Sequence, residues 1–403
     1  MEQKPLTKFN TFSIVAVAIL WLYEVAAIAG ALGPMSVAFP DADMLQIQMV
    51  MVSPFISIFV FSIISGGILA RKFDKKSILI VGLILYGITG FLPAFATDIS
   101  TILVLRVLTG VGAGLIVPLS NTIVSQHFTG IKRERLLGAN MSTANIGNVV
   151  ANIGVAALLI FGWQTAFYSF AFVFIILVLV IIGVPKSPPY KESDEEKDAS
   201  PKEARAKLPG IIIWLALLNA FVFCVFGFIP TNMSVFLMTN DIVPVWAIGM
   251  VMCFAAVAAI IGGFLFPEFK KVFGRYLVLF SFICGIAGFF VLVNAYSVPL
   301  IILGEVLVGL GVQGLIPPFV FEMTALKTTM GQRDFAYGVV NSAIYIGSFM
   351  GAFLQSFIRM ITKTEAATDM FYAGGVIMVG AAVVTLVIII VTRNRSKSIE
   401  NAA

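Results

Sequence analysis

The chain has 403 residues, of which 59% are hydrophobic and 12% are charged, and its mean hydropathy is +1.01. A soluble globular domain of ordinary composition is about 25% charged, so this composition excludes a soluble protein and indicates a chain embedded in a lipid bilayer. The formal net charge of +5 does not indicate nucleic-acid binding, because the basic residues lie between apolar runs, where positive charge sets membrane orientation.

Twelve apolar runs follow one another along the chain, each close to the length of about 20 residues that an α-helix needs to cross a hydrocarbon core. The runs are apolar on every side and lack the alternation of polar and apolar residues that marks a transmembrane barrel. The sequence therefore predicts an all-α membrane protein with twelve transmembrane helices, numbered here as spans 1 to 12. The predicted bounds are 11–33, 46–70, 78–96, 100–124, 137–161, 165–185, 210–230, 244–267, 276–295, 299–321, 335–358 and 370–392.

The distribution of positive charge predicts the orientation. Of the 26 lysine and arginine residues, all but Arg106, Arg359 and Lys363 lie before span 1, after span 12 or in the loops that follow even-numbered spans. Such loops stay on the cytoplasmic side. We therefore expect a multi-pass protein of the plasma membrane with both termini in the cytoplasm.

One long segment between spans 6 and 7 is rich in charge and proline, and it reads KSPPYKESDEEKDASPKEARAKL. This composition is typical of a solvated linker. The sequence therefore predicts three parts: a six-helix bundle at 1–185, a cytoplasmic linker at 186–208 and a second six-helix bundle at 209–403.

The two predicted bundles repeat one another. Span 4 contains LRVLTGVGAGLIVP and span 10 contains GEVLVGLGVQGLIPP, and shorter repeats link spans 3 and 9 and spans 5 and 11. Two six-helix repeats related by an axis along the membrane normal are typical of one large class of transporters. Closely spaced glycines favour tight helix packing, and prolines favour bends. The residues expected in these roles are Gly110, Gly112, Gly114, Pro118, Gly309, Gly311, Gly314, Pro317 and Pro318.

Two motifs resemble signatures of the major facilitator superfamily, and the resemblance extends over nearly the whole chain. The loop after span 2 is similar to the family pattern Gly-x-Leu-x-Asp-Arg-x-Gly-Arg-Arg, although Arg71 replaces its acidic residue and Asp74 its second glycine. The family's span 4 pattern, Arg-x-x-x-Gly-x-Gly, is intact and is common in proton-linked members. The span 5 signature of drug/proton antiporters is incomplete, because Ala151-Asn152-Ile153-Gly154 stands where a Gly-Pro pair is expected.

The resemblance implies two pseudo-symmetric six-helix bundles, a monomeric protein and a central cavity lined by spans 1, 4, 7 and 10. It also implies that the loop after span 2 latches the cytoplasmic ends of the bundles. The residues of this loop motif are Gly67, Arg71, Lys72, Asp74, Lys75 and Lys76.

Three charged residues, Glu24, Arg106 and Glu305, lie inside apolar runs. A charge at the centre of a bilayer costs at least about 2.5 kcal/mol on insertion scales, so each needs a partner or a function. The resemblance implies that all three face the cavity, with Arg106 and Glu305 forming a cationic and an anionic wall. We predict that Glu24 binds a coupling proton beside Arg106, with Glu305 as a second candidate. A structural ion pair for Arg106 and a polar group near the outer mouth for Glu305 are the alternatives.

Polar and aromatic residues inside the spans are candidate contacts for a solute. Asparagines at helical spacing form a stripe on span 5, and a similar polar stripe follows on span 11. Hydrogen bonds between helices and ordinary packing explain such residues equally well. The candidates are Trp21, Tyr23, Asn145, Asn148, Asn219, Phe226, Gln313, Asn341 and Tyr345.

The sequence offers no pattern for catalysis. His127 is the only histidine, the three cysteines lack metal-ligand spacing, and no nucleotide-binding or nucleophile motif occurs. We therefore expect no enzyme activity, no metal and no cofactor, with a small solute and a proton as the binding partners.

The sequence thus predicts a secondary active transporter that moves a small organic solute by alternating access, coupled to protons. The span 4 pattern and Glu24 favour proton antiport with export. The incomplete span 5 signature favours uptake of a small metabolite or organic anion by symport or uniport. A non-transporting receptor or scaffold on the same fold is the alternative from another class of protein.

Overall fold

The computed structural model describes residues 7–128, 130–186, 209–328 and 330–400. The predicted linker at 186–208 therefore lies outside the described residues, except for its first residue. In the described ranges, twelve helices are long and apolar enough to cross a membrane. The twelve predicted spans are confirmed. In chain order, their bounds are Lys8–Ala29, Met44–Ile64, Lys75–Phe95, Ile99–Val124, Thr143–Phe161, Trp163–Gly183, Gly210–Thr239, Val245–Phe264, Phe266–Val293, Val298–Lys327, Ala336–Thr362 and Ala367–Val391.

Aspartate caps begin two of the spans on the same side. Oδ1 of Asp43 accepts a hydrogen bond from the Gln46 backbone N–H at 2.7 Å, and Oε1 of Gln46 accepts one from the Asp43 backbone N–H at 3.0 Å. Span 4 begins in the same way, since Oδ1 of Asp98 accepts from the Thr101 N–H at 2.7 Å. These caps satisfy backbone donors that have no partner within the helix.

Span 7 is longer than the sequence predicts, because polar residues at its end remain helical. The predicted bound falls at Pro230, which is the third residue of the helix Phe228–Thr239. Proline is tolerated there because the first turn does not use its missing N–H. The Asn232 side chain donates to the Phe228 carbonyl at 2.6 Å within the same helix. The observed span therefore reaches Thr239.

Span 11 also exceeds its predicted bounds and ends at Thr362. Arg359, which the sequence places in a loop, therefore lies on a membrane-spanning helix. Its side chain is only 6% exposed. Its guanidinium donates to Asn232 Oδ1 and Gln48 Oε1, and such partners allow a charge to lie on a membrane-spanning helix.

Glycines set the close contacts between neighbouring spans, and they do so equivalently in both bundles. A Cβ added at Gly112 would lie 2.5 Å from the Tyr86 backbone nitrogen of span 3. A Cβ at Gly311 would lie 2.6 Å from the Cβ of Cys284 in span 9. Any larger residue would push these helices apart. The repeated sequence phrase thus encodes a repeated packing arrangement.

The prolines of spans 4 and 10 have different effects. Pro118 lies inside the continuous helix Ile99–His127. Span 10 is instead interrupted by a π-helical segment, Gly309–Leu315, and the next helix starts at Ile316 with Pro317 in its first turn. Wide turns of this kind occur often at functional sites. The expected irregularity is therefore present in span 10.

Odd-numbered spans begin at one face of the protein, here called the terminal face, and end at the other, called the opposite face. Contacts between the bundles lie at mid-level and toward the opposite face. The Ser234 hydroxyl of span 7 donates to the Gly30 carbonyl at 2.6 Å and accepts from the Gly33 N–H at 3.0 Å. The terminal half of span 10, Ile316–Lys327, packs on helices of its own bundle. The protein is therefore closed toward the opposite face.

Candidate functional site

A small cavity of about 40 Å³ lies between the bundles, walled by spans 1, 5, 7, 8 and 10. Its volume suffices for about three water molecules, so a larger occupant requires the bundles to separate. Apolar side chains make up most of the wall. The residues that give it chemical character are Asn148, Asn152, Phe226, Glu305 and Gln313.

Glu305 is the charged group of this cavity. Its side chain is 2% exposed, and its Oε1 atom has no hydrogen-bond partner among the described residues. No lysine or arginine nitrogen of the described residues lies within 4.0 Å of its carboxylate. An isolated carboxylate is costly in a buried site, so it is stabilised by a proton or by a cationic group that enters the cavity.

Glu24 and Arg106 form an ion pair within the N-terminal bundle. Oε1 of Glu24 lies 2.5 Å from Nη2 of Arg106, and both side chains are almost fully buried. The Arg106 Nε–H also donates to the Val50 carbonyl of span 2 at 2.7 Å. The guanidinium carbon lies 5.6 Å from the Phe170 ring centre in span 6. The pair thus links spans 1, 2, 4 and 6.

This position corrects one expectation. The family resemblance implied that Glu24, Arg106 and Glu305 all face the central cavity, but only Glu305 does so. The reason is that the opposite charges of Glu24 and Arg106 neutralise each other between packed helices, whereas Glu305 has no such partner among the described residues. Arg106 therefore gives this cavity no cationic wall.

Three of the nine predicted solute contacts, Asn148, Phe226 and Gln313, line the cavity together. Asn152, on the same stripe of span 5, joins them. The other six lie elsewhere. The Tyr23 hydroxyl donates to the Ser169 carbonyl at 2.8 Å and joins spans 1 and 6 of the first bundle. The Asn219 amide donates to the Val340 carbonyl at 3.1 Å and joins spans 7 and 11 of the second bundle.

Trp21 and Tyr345 lie at a contact between the bundles and outside the cavity. Trp21 belongs to a small buried cluster with Ala18, Val117 and Ala144, and Tyr345 packs against that cluster. Tyr345 also lies 6.1 Å, between ring centres, from Phe55 of span 2. Asn145 and Asn341 are half-buried and do not line the cavity.

The sequence indicates Asn232 only as a single candidate contact in span 7, and it does not reveal the second polar site near the opposite face that Asn232 forms with Gln48, Thr231, Gln355 and Arg359. All five side chains are at most 6% exposed and they come from spans 2, 7 and 11. Gln355 and Arg359 are four residues apart and thus share one face of a helix. That spacing, together with a glutamine in each of two apolar spans, is the signal that could have revealed the site.

The loop motif after span 2 makes contacts within its own bundle. The Lys76 Nζ donates to the Ile181 carbonyl at the end of span 6, at 2.8 Å. Asp74 precedes the helix Lys75–Phe91 and accepts a long contact of 3.4 Å from the Ser77 hydroxyl. Lys72 is exposed, and the surroundings of Gly67 and of the Arg71 side chain are not among the features described. The latch between bundles stays a prediction.

Two six-helix bundles that enclose, at their interface, a cavity with one buried carboxyl group and three amides are typical of a membrane transport protein. The chain belongs to the Major Facilitator Superfamily, whose sequence model matches residues 9–352. The protein is a transporter and not an enzyme. The predicted family and fold class are confirmed.

Two named relatives match different shares of the chain. A Bacillus subtilis protein named for niacin/nicotinamide transport, NiaP, is 25% identical over 285 residues, which is 68% of this chain and 70% of that protein. The 4-hydroxybenzoate transporter PcaK of Pseudomonas aeruginosa is 28% identical over 107 residues, or 26% of this chain and 24% of that protein.

Solved structures with the same fold include a D-xylose-proton symporter, which has a TM-score of 0.76 at 15% identity and covers 94% of this chain and 96% of that chain. The nucleoside transporter NupG gives a TM-score of 0.73 at 15% identity over 93% of this chain and 98% of that chain. At this identity the likeness establishes the fold alone.

Proposed function

We propose that the protein is a secondary active transporter that carries a small organic solute across the plasma membrane by alternating access, and that Glu305 couples this movement to a proton. The observation that carries the proposal is the buried Glu305 carboxyl, which faces the cavity between the bundles without a cationic partner among the described residues. Secondary transporters bind substrate and coupling ion at such an interface.

The solute class follows from the cavity wall and the relatives together. Phe226 and Met252 offer an aromatic face and a polarisable thioether, and the amides of Asn148 and Gln313 offer both donors and acceptors. A small planar ring that carries a carboxylate or carboxamide matches these groups. NiaP and PcaK are named for solutes of this kind, which supports the proposal for this chain.

The direction of coupling follows from charge. An anionic solute beside an ionised Glu305 would be repelled, and the described cavity wall contains no lysine or arginine to offset that repulsion. A proton on Glu305 removes the negative charge and supplies a donor for the solute. Proton and solute therefore bind together, and the protein acts as a symporter that takes up the solute.

A second candidate function is antiport of a cationic solute. A cation could replace the proton as the partner of Glu305, in which case the two would compete for the site. The absence of other charges from the described cavity wall favours this candidate as much as it favours symport. The names of the relatives do not support it.

We also propose that the terminal face is cytoplasmic. The loops on that face hold nearly all of the lysine and arginine residues, and such loops are retained in the cytoplasm. The structure then corresponds to a state that is closed toward the outside.

The test uses purified protein in liposomes that contain a pH-sensitive dye. Nicotinate, nicotinamide, 4-hydroxybenzoate and a lipophilic cation are added outside in turn, to wild type and to Glu305→Gln. Symport predicts that a ring carboxylate or carboxamide acidifies the lumen in wild type and not in Glu305→Gln. Glu322→Gln is the matched control, because Glu322 lies on the same span but is paired with Lys270 at 2.5 Å.

The outcomes separate the candidates. Alkalinisation of the lumen by the lipophilic cation identifies antiport. Solute accumulation without any pH change, equal in wild type and Glu305→Gln, would contradict proton coupling through this residue.

A further inference from the structure

The polar residues near the opposite face form a layer that belongs to both bundles. Gln48 comes from span 2 of the first bundle, whereas Thr231 and Asn232 of span 7 and Gln355 and Arg359 of span 11 come from the second. These five residues are called here the outer cluster. Every member is buried, with exposure between 0% and 6%. A buried polar layer between two bodies that must separate needs an explanation, because burial without pairing is costly.

Some contacts of the outer cluster lie within the second bundle, and the others cross between the bundles. Asn232 is held within the second bundle: its Oδ1 accepts from Arg359 Nη2 at 2.7 Å, and its amide donates to Gln355 Oε1 at 2.5 Å. The Thr231 hydroxyl donates to the same Gln355 oxygen at 3.2 Å. Four of the five members therefore form a network that can stay together when the bundles move.

Within the outer cluster, Gln48 makes the contacts that cross between the bundles. Its Nε2 donates to Asn232 Oδ1 at 3.2 Å and to Gln355 Oε1 at 3.0 Å. Its Oε1 accepts from Arg359 Nη1 at 3.3 Å. One side chain thus supplies both donor and acceptor to the opposite network. Separation of the bundles at this face breaks these three contacts.

We propose that the outer cluster is the outer gate of the transporter and that Gln48 is the residue that holds it shut. The proposal rests on the alternating access proposed above, since a gate presumes two alternately open faces. In the closed state Gln48 satisfies polar groups that water cannot reach. In the open state water takes its place, so the cluster favours closure without preventing opening.

Charge around Arg359 decides how the gate responds to substitution. Its Nε atom lies 3.3 Å from Glu365 Oε2, but Glu365 is 73% exposed, so that attraction is weakened by solvent. Asp43 is the other acidic group near the guanidinium. A carboxylate at position 48 would instead meet Nη1 in a buried, charge-assisted bond, which is stronger than an amide contact.

Two substitutions therefore weaken closure by different amounts. Gln48→Leu removes all three crossing contacts and leaves part of the Arg359 guanidinium without an acceptor, so the closed state loses stability. Gln48→Glu loses the two donations from Nε2, because a carboxylate oxygen then faces the acceptors Asn232 Oδ1 and Gln355 Oε1, but it strengthens the contact to Arg359, so the loss is smaller. Asn294→Leu is the control, because Asn294 is an exposed amide near the same face and bonds to Phe290 of its own helix.

The readout is the labelling of a cavity cysteine from outside intact cells. Cys224, Cys253 and Cys284 are replaced by serine, and Ala256→Cys places a thiol in the cavity wall behind the gate. A membrane-impermeant thiol reagent then reports opening. We expect about tenfold faster labelling in Gln48→Leu, equivalent to about 1.4 kcal/mol, a rate between those of the parent and Gln48→Leu in Gln48→Glu, and no change in Asn294→Leu.

The design separates failure of the gate from failure of the transport function. Labelling needs neither solute nor proton gradient, so it reports the gate even if the proposed coupling is wrong. Tyr296→Cys, at a position 66% exposed, verifies that the reagent reaches the protein. If Tyr296→Cys is labelled while the Ala256→Cys rate is unchanged in both Gln48 variants, or rises as much in Gln48→Glu as in Gln48→Leu, the outer cluster is not a gate held by Gln48.

Discussion

Oε1 of Glu24 and Nη2 of Arg106 lie 2.5 Å apart, and the two side chains are 1% and 0% exposed. The pair is enclosed by helices of one bundle and lies away from the interface between the bundles. Its charges therefore compensate each other within the N-terminal bundle. This arrangement assigns the two intramembrane acids different environments: Glu24 has a cationic partner, and Glu305 has none among the described residues.

Breaking the Glu24–Arg106 pair is expected to destabilise the protein. Glu24→Gln leaves the Arg106 charge buried without its counter-charge, which costs about 3–5 kcal/mol. The double substitution Glu24→Gln with Arg106→Gln removes both charges and should recover a large part of the loss. Thermal unfolding of the detergent-solubilised single and double variants measures the coupling. Additive effects of the two substitutions would contradict a direct interaction.

The fold could be predicted from the sequence because it depends on regular features. Runs of apolar residues fix the number of spans, and the repeated glycine phrases of spans 4 and 10 fix which helices pack closely. Gly112 and Gly311 occupy equivalent positions in the sequence and meet spans 3 and 9 in equivalent ways. Local patterns of this kind do not depend on distant parts of the chain.

The candidate site was predicted less completely because its geometry depends on how helices rotate about their axes. Glu24 and Glu305 look alike in sequence, as single acids in apolar spans. Glu24 faces Arg106 inside its bundle, and Glu305 faces the cavity. Gln48 and Arg359 are separated by most of the chain, so nothing local predicts their contact of 3.3 Å. An interpretation of each residue by itself does not predict which residues of distant spans contact one another.

Glycine packing in span 10 gives a prediction about stability. Gly311→Ala would place a Cβ 2.6 Å from the Cβ of Cys284 and 2.7 Å from the Ser281 carbonyl. Because helix backbones must move to relieve this contact, we expect a loss of about 1–3 kcal/mol. Gly380→Ala is the control, since nothing lies within 4 Å of a Cβ at that position. Equal melting temperatures for both variants would show that spans 9 and 10 are not tightly packed here.

The cap of span 4 predicts a dependence on pH. Hydrogen bonds from the Thr101 backbone N–H and side chain hold the pKa of Asp98 below its ordinary value of 3.8. A lowered pKa means that the stabilisation is present above the ordinary value and is lost as the pH falls through the pKa of the folded state. We expect Asp98→Ala to lower the melting temperature at neutral pH, with a difference from wild type that shrinks in acid. Asp98→Asn, which keeps a capping acceptor, should stay close to wild type at neutral pH. A larger difference for Asp98→Ala in acid than at neutral pH would contradict this role of the carboxylate.

Phe226 gives the last prediction, which concerns solute recognition. Its ring is half-buried in the cavity wall beside the amides and Glu305, and an aromatic contact with a ring solute contributes about 0.5–1.5 kcal/mol beyond the area that it buries. Phe226→Leu keeps the site apolar but removes the flat face. We therefore expect the half-saturating concentration of a transported ring solute to rise about two- to tenfold, with little change in the maximal rate.

Phe254→Leu is the matched control for Phe226, because Phe254 lies on span 8 but is 37% exposed and does not line the cavity. Initial rates of uptake into proteoliposomes over a range of solute concentrations measure both constants. Binding to Phe226 predicts that the affinity for a ring solute changes more than the affinity for an acyclic solute of the same charge. If Phe226→Leu lowers the maximal rate and leaves the half-saturating concentration unchanged, Phe226 acts in the movement of the bundles, and the solute binds elsewhere.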